Sequence, residues 1–246
     1  MIMIVGSNHD DILYFDSIMT GKRTEKVFGT FEVTFGSIFN QEVMLVDGVY
    51  TNYLSAALIT SLIQTYYTIL VFAVGKCTAW SGDWKIGDIT ISKLTFTGDV
   101  DQMEDTDARF GQIPGLPSSY PCQKDILAYL SSAFENHTYA KAYEATYVST
   151  NVNFGSAEQL KEIRHGDALY GFRERVVLDS TLGGIAVACK LTNIPFIGAK
   201  VVGRVLDKPY TVEEYAEALG HYAELGKAVV TTIGDIGRND IQGVIE

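Results

Sequence analysis

The sequence predicts an α/β fold: a mixed, mainly parallel central sheet covered by helices. Three observations carry this expectation. Short β-branched or all-apolar segments alternate along the chain with segments whose apolar residues recur at helical spacing. The run at 69–74 is apolar throughout, as a central strand covered on both faces would be. The chain has 246 residues, 47% hydrophobic and 20% charged, which suits one large globular domain and not a disordered segment. No repeat, linker or composition break divides it, so residues 1–246 read as a single domain.

Residues 2–5 read as a buried first strand ending at Gly6, with 7–11 in the strand-to-helix turn that follows. Residues 27–35 alternate and read as a second strand, and 42–46 as a third, closed by the turn Asp47-Gly48. Residues 52–64 carry the spacing of an amphipathic helix. The strand at 69–74 should end in a loop, Gly75-Lys76-Cys77-Thr78-Ala79-Trp80, and Gly87-Asp88 precedes a strand at 89–96. Residues 97–121 have no period and hold three of the five prolines, three glycines and five carboxylates; a stretch like that is expected to be functional or mobile. A helix at 122–134, a strand at 143–149, a helix at 156–164 and a short strand at 175–178 follow. Asp179-Ser180-Thr181 has N-cap chemistry ahead of a small-residue helix at 183–192. A strand at 195–201 precedes Thr211-x-x-Glu214, a capping box that opens a helix to about Thr231, with a frayed tail after Gly234.

Charge and composition exclude several classes. A net charge of −11 argues against a nucleic-acid partner, because neutralising phosphates takes clustered Lys and Arg. No basic run would dock on an anionic membrane, and the longest apolar stretch falls far short of the ~20 residues of a membrane helix. The first five residues have no charged leader, so no signal peptide is expected. Cys77, Cys122 and Cys189 are far apart, without a C-x-x-C pair, which fits a cytoplasmic location and argues against zinc or a disulfide framework. No His has a partner at metal-ligand spacing, so neither metal nor other cofactor is expected.

Sheets of this kind bind ligands beyond the carboxyl ends of their strands. The places to inspect therefore follow Val5, Val46, Val74, Phe96, Ser149, Leu178 and Val201. Asp10-Asp11 in the first turn can hold a water, or can simply meet a helix dipole. Gly75 lets backbone N–H groups approach a ligand, although the loop has no P-loop frame. Trp80 and Trp84 can stack a base, or merely pack. Asp179-Ser180-Thr181 can grip sugar hydroxyls or cap a helix, and Arg204 can bind an anion or form a surface ion pair.

Taken together and in order, these segments resemble the nucleoside phosphorylase superfamily, most closely its methylthioadenosine/S-adenosylhomocysteine nucleosidases. The resemblance runs along nearly the whole chain. Ile4-Val5-Gly6 through Asp11 is similar to the family's opening strand and its acidic run. Gly75 to Trp80 with Lys85-Ile86-Gly87-Asp88-Ile89 is similar to "G-S-A-G-G-L … K-V-G-D-I". Asp99-Val100-Asp101 and Phe110-Gly111-Gln112 resemble "D-A-D-V" and "Y-G-Q", and Ser149 to Phe154 resembles the base-contacting "S-G-D-x-F-I" loop. Asp179 through Cys189 resembles the "E-M-E-A" helix, and 195–207 the "P-F … R-x-I-S-D" strand.

The resemblance implies a three-layer αβα sandwich, a symmetric homodimer and hydrolysis of the N-glycosidic bond of a purine nucleoside, with a small-molecule nucleoside or related ligand as partner. It places Asp11 at the water-positioning acid and Arg204 at the acid that protonates the purine. It assigns substrate contacts to Lys76, Cys77, Asn153, Phe154, Asp179, Ser180 and Thr181. Thr181 stands where the family has its ribose-clasping Glu, and Lys76 where it has a Ser. Ala73 stands where phosphorylases place an arginine, so phosphate binding of that type is expected to be lost. Arginine stays protonated and cannot deliver a proton, though as a fixed cation it can stabilise negative charge on a departing base. Catalysis is therefore expected to be weak; the alternative is a non-catalytic nucleoside- or anion-binding homologue.

Overall fold

A computed structural model describes residues 1–80, 83–104, 106–152, 156, 158, 175–209 and 211–238. In chain order the elements are β1 (Ile2–Val5), α1 (His9–Ile18), β2 (Thr20–Val27), β3 (Phe31–Ile38), β4 (Gln41–Val46), α2 (Asn52–Thr65), β5 (Leu70–Ala79), β6 (Ile89–Thr97), β7 (Tyr120–Pro121), α3 (Lys124–His137), β8 (Ala142–Ser149), β9 (Val176–Asp179), α4 (Leu182–Thr192), β10 (Phe196–Val205) and α5 (Val212–Arg238).

Strand period 2 sorts the core into two halves. In β1, Ile2 and Ile4 face one cluster while Met3 and Val5 face the other. In β5, Leu70, Phe72 and Val74 join the first cluster, and Val71 and Ala73 the second. The first cluster is closed by Phe15 of α1, Leu130 of α3 and Val229 of α5. The second is closed by Leu58 and Leu62 of α2 and by Ile185 of α4. The result is the expected three-layer α/β sandwich.

The sheet runs β2-β3-β4-β1-β5, with β1 parallel to both β4 and β5. At β5 it branches. One edge of β5 pairs with β1 through Leu70–Ala73 and then with β9 through Thr78 and Ala79. Its other edge pairs with β10 along Val71–Ala79. β10 pairs with β6, β6 with β8 and β8 with β9, so these five strands close on themselves. The change of partner on β5 opens a crevice between the end of β1 and the end of β9, a topological switch of the kind that binds ligands.

Three expectations need correction. Residues 27–35 are not one strand: Phe28 and Gly29 take positive φ and turn the chain between β2 and β3. The polar β2 lacks the alternation that marks a half-buried strand, so it went unread. The segment after Val74 is not a loop, because β5 and β10 continue together to Ala79 and Val205 as paired strands. The C-terminal helix extends to Arg238, and Ile233 and Ile236 keep its last turns buried. The N-cap chemistry expected of Asp179-Ser180-Thr181 is present: Thr181 is the N-cap residue of α4 without a side-chain cap bond, and Asp179 Oδ2 accepts the Leu182 N–H at 2.9 Å. Of the helix expected at 156–164, only residues 156 and 158 are among those described. The capping box of α5 forms as read, with Glu214 N–H donating to Thr211 Oγ1 and Thr211 N–H to Glu214.

Candidate active site

A cavity of about 430 Å³ fills the crevice where β5 changes partner. Its walls come from Ser7 after β1, Tyr50 after β4, Lys76 to Thr78 of β5, Thr150 to Val152 after β8, Leu178 to Ser180 at the end of β9, and Lys200, Gly203 and Arg204 of β10. Of the residues expected at the site, the structure brings together Lys76, Cys77, Asp179, Ser180 and Arg204 on this lining. Asp11 and Thr181 lie behind it, both almost fully buried. Asn153 and Phe154 lie outside the described residues.

Asp11 sits at the third position of α1 and completes a capping box with Asn8. Its Oδ2 accepts the backbone N–H groups of Ser7 at 2.9 Å and Asn8 at 3.2 Å. Its Oδ1 accepts the Tyr222 hydroxyl at 3.1 Å. A carboxylate offers about four lone-pair positions, so one remains, on Oδ1. The helix-start alternative is thus realised, and among the described residues one lone pair of Oδ1 receives no donor. Burial first, and then the Asp11 charge, push the Tyr222 phenol well above its ordinary range, so it stays a donor. Gly75 is required beside this carboxylate: its φ is +133°, and a Cβ there would lie 2.8 Å from Asp11 Oδ2.

The centre of the floor is a residue the sequence did not single out. Lys200, 1% exposed, donates to Asp179 Oδ2 at 2.6 Å and to Thr181 Oγ1 at 2.9 Å. Thr181 in turn donates to Asp179 Oδ2 at 3.2 Å. Asp179 is on β9 and Lys200 on β10, the strands flanking opposite edges of β5, so the ion pair ties the closed ring together across its interior. Burial alone would raise the Asp179 carboxyl; the Lys200 charge and hydrogen bond hold it below its ordinary value. The Thr181 hydroxyl, expected at the ribose, is taken up by this triangle. A lysine inside the apolar run Phe196–Val205 was the available signal, since a buried charge must be paired.

On the rim, the Lys76 ammonium donates to the Tyr215 hydroxyl at 2.9 Å and lies over that ring. Burial lowers its pKa, but Tyr215, Asp11 and Asp10 outweigh this and raise it, so the side chain is cationic at neutral pH. Arg204 follows a bulge in β10 at Gly203 and is half-buried. Burial pushes the Cys77 thiol up to about 12, so it lines the cavity as a neutral group and not as a nucleophile. Trp80 and Trp84 are buried in the core, the packing alternative of the two, and Arg175 stacks on Trp84.

Residues 3–233 match the family model of the phosphorylase superfamily. The chain belongs to that superfamily. The 5′-methylthioadenosine/S-adenosylhomocysteine nucleosidase of Marinomonas sp. (strain MWYL1) is 21% identical over 228 residues, covering 92% of this chain and 95% of its own. The Bacillus subtilis (strain 168) nucleosidase is 20% identical over 235 residues, covering 94% and 99%. Among solved structures, the Neisseria meningitidis nucleosidase in complex with methylthio-immucillin-A superposes with a TM-score of 0.83 at 20% identity, covering 95% of this chain and 98% of that one. The Colwellia psychrerythraea nucleosidase in complex with adenine gives a TM-score of 0.82 at 18% identity, covering 95% and 94%. At such identities the superpositions establish a common fold, and the phosphorylase-superfamily architecture expected from the sequence is present.

Proposed function

We propose that this chain is a purine nucleoside N-ribosyl hydrolase, of the methylthioadenosine/S-adenosylhomocysteine nucleosidase kind, with slow turnover. The observation that carries the reading is the convergence of three segments on one cavity: the turn that Asp11 caps, which reaches the lining through Ser7, the Asp179-Ser180 end of β9 and the Arg204 bulge of β10. The names of the matching relatives support the same reaction class.

In this reading a water attacks C1′ of the ribose, the C1′–N9 bond breaks, and its electron pair leaves with the purine, which takes up a proton. The remaining lone pair of Asp11 Oδ1 holds the water. Arg204 meets the departing base and stabilises its charge without supplying the proton, which must come from solvent. Asp179 and Ser180 replace Thr181 as the lining groups nearest the ribose. A missing general acid forfeits about 10²–10⁴ in rate. Against a typical turnover of about 10 per second, adenine release from methylthioadenosine should then fall on the order of 10⁻³ to 10⁻¹ per second.

Chromatographic product analysis tests this. The expected products are adenine and free methylthioribose, at the same rate with and without phosphate. Release near typical enzyme rates contradicts the weak-catalysis reading, and a ribose 1-phosphate product contradicts hydrolysis. Absence of any release, with a ligand-induced rise in melting temperature, identifies a binding homologue.

The same reading includes a homodimer in the cytoplasm. Tyr50, Tyr53 and Val152 are exposed apolar side chains at or near the cavity mouth and are offered as part of the contact, whereas Ile63, Ile113 and Leu116 pack on the core. Light scattering should give twice the chain mass at micromolar concentration, and a monomer mass contradicts the assignment.

A further inference from the structure

Asp11 is held from two sides. The backbone N–H groups of its own turn, Ser7 at 2.9 Å and Asn8 at 3.2 Å, both reach Oδ2. Oδ1, the oxygen with the open lone pair, takes its one donor among the described residues from the Tyr222 hydroxyl at 3.1 Å. On a third side no side chain braces the carboxylate, because Gly75 stands there; a Cβ at that position would lie 2.8 Å from Oδ2 and 3.4 Å from Oδ1. Two bonds that converge on Oδ2 leave the carboxylate free to swing about that atom. The bond to Oδ1 stops the swing.

The packing of α5 on α1 delivers this bond. Tyr222 and Gly226 are four apart on α5, and Asp11 and Tyr14 are three apart on α1, so each pair shares one helix face. Gly226 meets Tyr14: a Cβ on the glycine would overlap the Tyr14 ring. A glycine inside a long helix weakens it, and here it permits the close approach that brings Tyr222, one turn earlier, onto Asp11. Tyr222 packs against the first core cluster. Burial and the Asp11 charge keep its proton in place, so the bond runs one way, from phenol to carboxylate.

We propose that Tyr222 is a positioning residue for the hydrolysis: its hydroxyl fixes Asp11 Oδ1 so that the open lone pair holds the attacking water at one place relative to C1′. The proposal rests on the nucleoside reading above and adds to it a residue outside the cavity lining. Tyr222 keeps its proton throughout and acts only through Asp11.

Adenine release from methylthioadenosine by the full chain, Tyr222→Phe, Asp11→Asn and the double variant tests it. Tyr222→Phe keeps the ring and its packing, and a cooperative melting curve above the assay temperature would establish that it folds. Its turnover should fall by about tenfold to a hundredfold, the cost of a misplaced reacting group. KM should stay unchanged; with chemistry this slow, KM reads the dissociation constant. In the Asp11→Asn background the same change should cost nothing further, because two residues that act as one unit are not additive. An unchanged turnover in Tyr222→Phe overturns the proposal and leaves the nucleoside reading intact. A raised KM at unchanged turnover, or the same fractional loss with and without Asp11, marks a packing role and overturns it as well. No release by the parent protein overturns the hydrolase reading and this proposal together.

Discussion

Lys200→Met should lower the melting temperature by roughly 6–20 °C. The substitution strands Asp179 as an unpaired charge in the interior. Removing one partner of a buried pair costs about 3–5 kcal/mol, and in a domain of this size each kcal/mol shifts the melting temperature by about 2–4 °C. Lys200→Met combined with Asp179→Leu should recover much of the loss, because no bare charge then remains. The recovery is incomplete, since Asp179 Oδ2 also accepts the Leu182 N–H at the start of α4.

The same pair fixes a pH signature. In the parent protein the folded Asp179 carboxyl is held below its unfolded value of about 3.9. The folded state then binds fewer protons near that pH, so this contribution is complete above about pH 4 and is lost as pH falls through the folded value. In Lys200→Met, desolvation is left without its counterweight and the sign reverses: the variant should gain relative stability as pH falls from about 7 towards 4. Melting curves of the two proteins across that range check this. A variant within about 1 °C of the parent would mean that the pair is not what holds β9 to β10.

Arg204→Asp should raise base release by about tenfold to a hundredfold, at or below the lower end of the 10²–10⁴ that a well-placed general acid contributes. The exchange places a group able to carry a proton on the rim, where the arginine can only stabilise charge. The rate should also become dependent on the protonated carboxyl, falling as pH rises through its titration, whereas the parent has no such limb. Single-turnover kinetics across pH distinguish this from a mere change in affinity. An unchanged rate with an unchanged pH profile would place the base elsewhere than at Arg204.

The fold was largely legible because its signals are local. The alternation of helix and strand, the covered apolar β1 and β5, and the capping box at Thr211 can each be read within a few residues. What escaped depended on distant partners. β2 is polar on both faces and is defined only by its pairing with β3. The length of β5 is set by β9 and β10, which follow it by about a hundred residues or more. At the site, the residue types at Lys76, Asp179 and Arg204 could be picked out from the order of motifs, and they do share one cavity. Lys200 could not be assigned a role, because its partner lies on a strand it does not pair with. The resemblance places Thr181 at the ribose, whereas its hydroxyl turns inward to Lys200. Tyr215 and Tyr222 come from a helix that sequence order places last and the fold places against the first loop.

The most direct measurement is a crystal structure of the protein with methylthioadenosine bound. The purine should lie in the cavity between Ser7, Asp179 and Arg204, with the guanidinium against the base and the ribose beside Asp179 and Ser180. Ligand density in the separate cavity lined by Tyr120, Cys122 and Asn193, or a purine in the crevice with no contact to Arg204, would contradict the assignment of this site.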